Sequence, residues 1–90
     1  MRKLKVYGGI TSYVTEGSAR YSIRTIVAAA TKKRMVEMLN ESKMRYSAYE
    51  FNNWFVATGN TVELSVATEE GIWSVVDKGI RTAEDYKRIK

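Results

Sequence analysis

The sequence contains no cysteine, no histidine and no proline. Without cysteine there can be no disulfide, thiolate nucleophile or cysteine-ligated zinc site, and without histidine there is no Ser-His-Asp triad. No apolar run reaches the length of a signal peptide or a membrane span. We therefore expect a cytoplasmic protein with no metal, no cofactor and no membrane partner.

The chain has 90 residues, of which 44% are hydrophobic and 28% charged. This length suits one hydrophobic core, and the proportions are those of ordinary globular proteins. We predict a single domain over 1–90, in which residues 82–90 form either a short helix capped by Thr82 or a frayed tail.

Charge is unevenly distributed along the chain, whose formal net charge is +5. Residues 1–45 carry ten cations and three acids, a net +7. Residues 46–77 carry five acids and no cation, a net −5, and residues 78–90 carry five cations and two acids, a net +3. Such asymmetry is typical of interaction surfaces and is compatible with self-association. The alternative is that folding interleaves the three blocks and leaves an even surface.

The N-terminal part has the pattern of a β-hairpin. Leu4, Val6 and Ile10 alternate with polar residues, which is the period of a half-buried strand. Gly8-Gly9 interrupts this run and indicates a bulge or a close backbone approach. A turn at Gly17 then leads to a second run, Tyr21 to Ala28, so we predict two antiparallel strands joined at Gly17.

Two helices are predicted in the middle of the chain. Thr31 is suited to cap the first, over 32–40, in which apolar residues recur at helical spacing. Ser47 and Glu50 have the spacing of a capping box and predict a second helix over 48–58 that ends at Gly59.

Residues 60–71 allow two interpretations. Asn60 and Glu63 resemble another capping box, which favours a third helix. Val62, Leu64 and Val66 alternate with polar residues, which favours a strand. Under both interpretations, residues 72–76 form a strand.

The predicted fold class is therefore α+β: an N-terminal antiparallel β-hairpin, two or three short helices, and a further strand near residues 72–76 in the same sheet. The predicted core is Leu4, Val6, Ile23, Ile26, Val27, Met35, Met38, Leu39, Phe51, Trp54, Phe55, Leu64, Trp73 and Val75.

The first turn of the helix over 32–40 holds three cations, Lys32, Lys33 and Arg34. The helix dipole is already positive there, so each cation costs about 0.3–1 kcal/mol at an exposed site. A phosphate or an acidic partner surface at this helix end would gain from both the free N–H groups and the side chains. We predict an anion or partner-binding site at these three residues with Arg24 and Lys43 as neighbours, the alternative being that the side chains extend into water.

The helix over 48–58 presents Tyr49, Asn52 and Asn53 on its predicted exposed face. The helix contains no lysine or arginine, which disfavours its insertion into a DNA groove. We predict that these three residues form a protein-contact patch.

Motifs of catalytic type are missing from the sequence. Gly8-Gly9 lacks the later glycine and the lysine of a phosphate-binding loop, and Glu37 and Glu41 are spaced as a solvated pair on one helix face. A single small core also leaves little room for a deep cleft. We predict that the protein is not an enzyme.

Three segments carry a resemblance to known proteins: Lys5–Thr11 (KVYGGIT), Arg24–Lys33 (RTIVAAATKK) and Trp54–Asn60 (WFVATGN). Together they make most of residues 3–76 resemble a loose group of small uncharacterised proteins encoded by tailed phages and prophages. The resemblance implies expression in the cytoplasm of an infected bacterium, and it slightly favours the helix over 61–69. Small phage proteins of this kind commonly bind and block a host component, and others bind nucleic acid. Because the charge is bipolar along the sequence and no catalytic constellation is present, we predict a binding protein that inhibits or redirects a host protein through charged surfaces, such as an anti-CRISPR-like inhibitor. The alternative is a nucleic-acid-binding accessory protein that uses the basic hairpin and the helix N-terminus.

Overall fold

A computed structural model describes residues 4–41, 55–79 and 82–89. The described strands form one antiparallel sheet in the order β3-β1-β2-β4-β5. The α+β class, the N-terminal hairpin and the strand near 72–76 in the same sheet are confirmed. Along the chain the elements are β1 (Lys5–Glu16), β2 (Ala19–Ala29), α1 (Lys32–Glu41), β3 (Val56–Ala57), α2 (Thr61–Val66), β4 (Gly71–Asp77), a 3-10 helix (Ala83–Asp85) and β5 (Lys87–Arg88).

The hairpin of β1 and β2 turns at Gly17, as predicted. Gly17 has a φ of 62°, a conformation that glycine adopts without the steric cost of a Cβ. Residues Glu16 and Ala19 pair directly across the turn. The register shifts by one between Ile10 and Ser12, so the bulge lies at Thr11 rather than at Gly8-Gly9.

Both faces of the sheet are covered at its inner end, and this corrects the expectation of a half-buried first strand. Val6 and Tyr7 are adjacent in β1, point to opposite faces, and are both buried. The face that we call the α1 face packs Tyr7 against α1 and Phe55, whereas the α2 face packs Val6 against α2 and Tyr86. Ile10 lies beyond both cores and is 44% exposed.

Helix α1 begins where the sequence predicted. The backbone N–H of Arg34 donates to Thr31 Oγ1 at 3.1 Å, which makes Thr31 the N-cap. Met35, Met38 and Leu39 recur at three- and four-residue steps and are buried against the sheet.

The helix predicted over 48–58 is wrong at its C-terminal end. Val56–Ala57 is a strand that pairs with Tyr7 and Gly8 on the outer edge of β1, and the Thr58 N–H donates to the Val6 carbonyl at 2.9 Å. Phe55 is wholly buried on the α1 face, so an extended backbone here satisfies both the sheet edge and the core. The remainder of the predicted helix, 48–54, lies outside the described residues.

The ambiguity over 60–71 resolves to a helix, α2. Asn60 Oδ1 accepts from the N–H groups of Val62 at 2.9 Å and Glu63 at 3.1 Å. Val62 and Val66 are one helical turn apart and pack against the α2-face core. Leu64 points away from it and is 44% exposed, so its assignment to the core is wrong.

The C-terminal segment is ordered by a cap and by sheet pairing. Asp85 Oδ2 accepts from the Thr82 backbone N–H at 2.8 Å, and a single turn of 3-10 helix follows. Tyr86 is then buried, and the Ile89 N–H donates to the Ile72 carbonyl at 2.8 Å beside β5. The 3-10 turn, Ala83–Asp85, lies in the segment for which a short helix capped by Thr82 is one of the two predicted alternatives. None of the helices in the described segments is long and apolar enough to cross a membrane.

Candidate functional site

The carboxylate of Glu63 is the centre of a buried polar cluster on the α2 face. Glu63 lies in the first turn of α2 and is 0% exposed. Its Oε2 accepts from Arg24 Nε at 2.6 Å and from the Tyr86 hydroxyl at 2.7 Å. Its Oε1 accepts from Arg24 Nη2 at 2.9 Å and from Thr58 Oγ1 at 2.8 Å. The cluster therefore ties β2, α2, the β3–α2 connection and the C-terminal segment together.

The sequence assigned Glu63 to a capping box, and the structure explains why that pattern misled. The Asn60 backbone N–H, which a capping box would pair with Glu63, donates instead to Thr58 Oγ1 at 3.2 Å. Thr58 thus accepts the hydrogen bond from the N-cap backbone N–H that Glu63 would accept in a capping box. This frees the Glu63 carboxylate to reach Arg24 on β2.

Gly8 provides the space that the Arg24 guanidinium occupies. Arg24 and Gly8 lie on the same face of neighbouring strands, and a Cβ at Gly8 would stand 2.8 Å from Arg24 Cζ and closer still to Nη2. The close approach that Gly8-Gly9 predicted is therefore confirmed at Gly8, where the approaching group is a side chain.

Glu63 stays ionised over a wide pH range. Burial, the largest influence, would by itself raise the pKa of this carboxyl. Hydrogen bonds from Arg24, Tyr86 and Thr58, with the charge on Arg24, outweigh burial and lower the pKa from 4.5 to about 2. A carboxylate held in this way is a weak proton acceptor at neutral pH, so the cluster is suited to holding elements together rather than to acid–base chemistry.

Folding brings the acidic block of the sequence onto the two basic blocks. Glu63 pairs with Arg24, and Glu70 with Arg34 at 3.1 Å. Glu69 pairs with Arg88. Among the described residues the expected spatial separation of positive and negative charge is therefore not found, because long-range pairing interleaves the blocks.

Of the five residues predicted to bind an anion, the four that the structure describes do not form one cluster. Arg24 lies on the α2 face in its ion pair with Glu63, whereas α1 covers the opposite face. Arg34 is shared among Glu37, Glu41 and Glu70 at 3.1–3.5 Å. That leaves Lys32 and Lys33 at the start of α1, and Lys43 lies outside the described residues. Tyr49, Asn52 and Asn53, the predicted protein-contact patch, also lie outside them.

The outer half of the hairpin, residues 10–23, extends past both cores, and we call it the arm. Tyr13 is 55% exposed there, and the Arg20 guanidinium lies 4.4 Å from the centre of its ring. Strand alternation and register place Ile10, Tyr13, Arg20 and Ser22 on the α2 face, where they line a shallow depression of about 440 Å³. We call these four residues the arm patch. Sequence reasoning missed this patch, because uninterrupted alternation puts Ile10 and Tyr13 on opposite faces. Only the one-residue shift at Thr11 brings them to the same face.

No group of acidic side chains in the described segments has the arrangement of a metal site. No protein-family model, curated protein or solved structure matches the chain. The resemblance to phage and prophage proteins therefore stays a prediction.

Gly8→Ala should destabilise the protein by roughly 3 kcal/mol, because the new Cβ displaces Arg24 from Glu63 and leaves a buried carboxylate poorly paired. Urea unfolding followed by circular dichroism measures the change. In a chain that already carries Arg24→Ala and Glu63→Gln, the same substitution should cost under about 1 kcal/mol.

Gly59→Ala is the matched control, because a Cβ at Gly59 meets nothing within 4 Å. Its effect should stay within about 0.5 kcal/mol. Equal costs for Gly8→Ala in the two backgrounds would contradict the role assigned to Gly8.

The depressed pKa of Glu63 also predicts acid lability. Its contribution to stability is complete above the unfolded-state pKa of 4.5 and is lost as the pH falls towards 2, about 3 kcal/mol in all. Tyr86→Phe removes one donor, so it should lower the free energy of unfolding at pH 7 by about 2 kcal/mol and flatten this pH dependence.

Urea titrations between pH 7 and pH 2 test this, with Tyr13→Phe, an exposed tyrosine, as the control. A Tyr86→Phe profile that runs parallel to the wild-type profile would show that Tyr86 does not act on the ionised carboxylate.

Proposed function

We propose that the protein is a small binding protein that engages a protein partner through its arm. It would belong to the type that tailed phages encode to inhibit or redirect a host protein. The observation that carries this proposal is the arm itself, which exposes Ile10 and Tyr13 beyond both cores. Residues 10–23 add length to the hairpin without adding buried core.

The composition of the arm patch supports a protein partner. Tyrosine and arginine are, with tryptophan, the residues enriched among those that dominate binding energy at protein interfaces, and here Tyr13 and Arg20 are already stacked. Val56, which is 58% exposed, pairs with Gly8 and so adds apolar surface on the same face as Ile10. Neighbouring exposed apolar side chains on one face favour association over solubility.

The arm replaces the charged surfaces as the proposed point of contact. Arg24 and Arg34 are occupied by glutamates of the same chain, so a partner would have to compete with those pairs. The arm patch offers its side chains without that competition.

Capture from a nuclease-treated bacterial lysate tests the proposal. Tagged wild-type protein should retain a defined host protein, and an Ile10→Ser, Tyr13→Ala double variant should lose it, because removal of an interface anchor costs about 2 kcal/mol or more of binding free energy. Partner identity comes from mass spectrometry and affinity from titration with the purified partner.

Ile89→Ser is the matched control, since Ile89 is 49% exposed beside β5, at the opposite edge of the sheet from β1. It should keep the partner. Recovery of nucleic acid alone, or loss of the partner in the control as readily as in the arm variant, would contradict the proposal.

Nucleic-acid binding is the second candidate, and the cations without a carboxylate partner favour it. Within the described segments Lys5, Lys32 and Lys33 form no ion pair, and strand alternation puts Lys5 on the face that α1 covers. Phosphate groups are the natural ligands of such a set.

For this candidate, affinity for a labelled oligonucleotide should fall steeply with salt. The logarithmic salt slope should shrink by about two in a Lys32→Ala, Lys33→Ala variant if each lysine neutralises one phosphate. Lys78→Ala, whose ammonium pairs with Glu16 at 2.8 Å, is the control. An unchanged slope would exclude the helix start as the contact.

A further inference from the structure

The arm patch holds an arginine that the fold does not use. The structure describes four arginines, and three of them pair with glutamates: Arg24 with Glu63, Arg34 with Glu70 and Arg88 with Glu69. Arg20 has no carboxylate partner among the described residues. Its guanidinium lies over the Tyr13 ring instead, which holds the planar group in place while its N–H edge stays available.

The charges near the arm also leave Arg20 without an ion-pair partner in the described segments. Strand alternation places Glu16 on the opposite face of the hairpin from Arg20, where its carboxylate pairs with Lys78 at 2.8 Å. Arg20 supplies the one charge of the arm patch. Asp77 lies across from Ser22 on the same face. Its carboxylate accepts from the Gly79 backbone N–H at 3.1 Å and forms no ion pair with Arg20. The apolar surfaces of Ile10 and Tyr13 line the same depression.

We infer that the arm patch binds a segment of a partner protein in which a carboxylate side chain lies beside an apolar one. The carboxylate pairs with the Arg20 guanidinium, and the apolar side chain lies against Ile10 and Tyr13. This inference rests on the proposed function and gives the chemistry of its partner.

The arrangement fits a peptide better than a nucleic acid. Arg20 is the one described cation of the arm on this face, whereas a nucleic-acid backbone presents a phosphate at every step and is held by several cations. A single guanidinium beside the apolar surfaces of Ile10 and Tyr13 instead matches one carboxylate, bound through both of its oxygens, with an apolar side chain next to it.

Titration of the full isotope-labelled chain with defined peptides tests the inference by NMR. The probe is a capped peptide of alternating aspartate and leucine, and its comparison is the same peptide with lysine in place of aspartate. The aspartate peptide should shift the signals of Ile10, Tyr13 and Ser22, and the lysine peptide should not. No shift at these residues with millimolar aspartate peptide would overturn the inference.

Substitutions at Arg20 test whether its charge and its guanidinium bind the aspartate peptide. Arg20→Gln should weaken binding of the aspartate peptide about tenfold, and Arg20→Lys should recover part of the loss, because it keeps the charge without the fork. Lys87→Gln removes an exposed cation on β5 and should stay within about twofold of wild type. Equal affinity of wild type and Arg20→Gln, or stronger binding of an oligothymidylate at the same residues, would overturn the inference.

The failure of this inference can be told apart from the failure of the proposed function. If a captured host protein is lost with Tyr13→Ala but kept with Arg20→Gln, the arm is the binding surface and the carboxylate is not its ligand. If the peptide binds through Arg20 and no host protein is captured, the site stands and the proposed function fails.

Discussion

The bidentate ion pair between Arg24 and Glu63 is the interaction on which the α2 side of the molecule depends. A carboxylate without exposure costs several kcal/mol to desolvate, so it is tolerated only when donors surround it. Here the donors come from three separate parts of the chain, at Thr58, Arg24 and Tyr86. Each part is fixed because the carboxylate needs all of them together, and this couples the elements that meet on the α2 face.

That coupling matters because the apolar material is divided between two small cores. Alternation along β1 and β2 sends buried residues to both faces of the sheet, and α1 covers one face while α2 and Tyr86 cover the other. Helix α2 has only six residues, too few to be stable through helix propensity alone. Its cap at Asn60 and its ion pair to Arg24 hold it in place.

The elements that local chemistry defines could be predicted from the sequence. A glycine turn specified the hairpin, and a threonine cap with helical spacing specified α1. The strand at Val56–Ala57 could not be foreseen, because its partner is the edge of β1, some fifty residues earlier in the chain. Glu63 was hidden for a related reason: its spacing from Asn60 satisfies a local capping pattern, while its real partners lie far away in sequence. The arm patch depends on where the cores end, which alternation alone does not reveal.

The charge pattern of the sequence acquires a different meaning once the chain is folded. A block of acids between two basic blocks suggests a dipolar surface, yet the described glutamates of that block reach back to Arg24 and Arg34 and forward to Arg88. Long-range ion pairs of this kind help to specify which segments meet, although the exposed ones contribute only about 0–1 kcal/mol each. An arginine that takes no part in this pairing is then more informative than the net charge. Arg20 is such a residue. Its guanidinium stacks on Tyr13 and pairs with no described carboxylate, so it would be available to an acidic group of a partner.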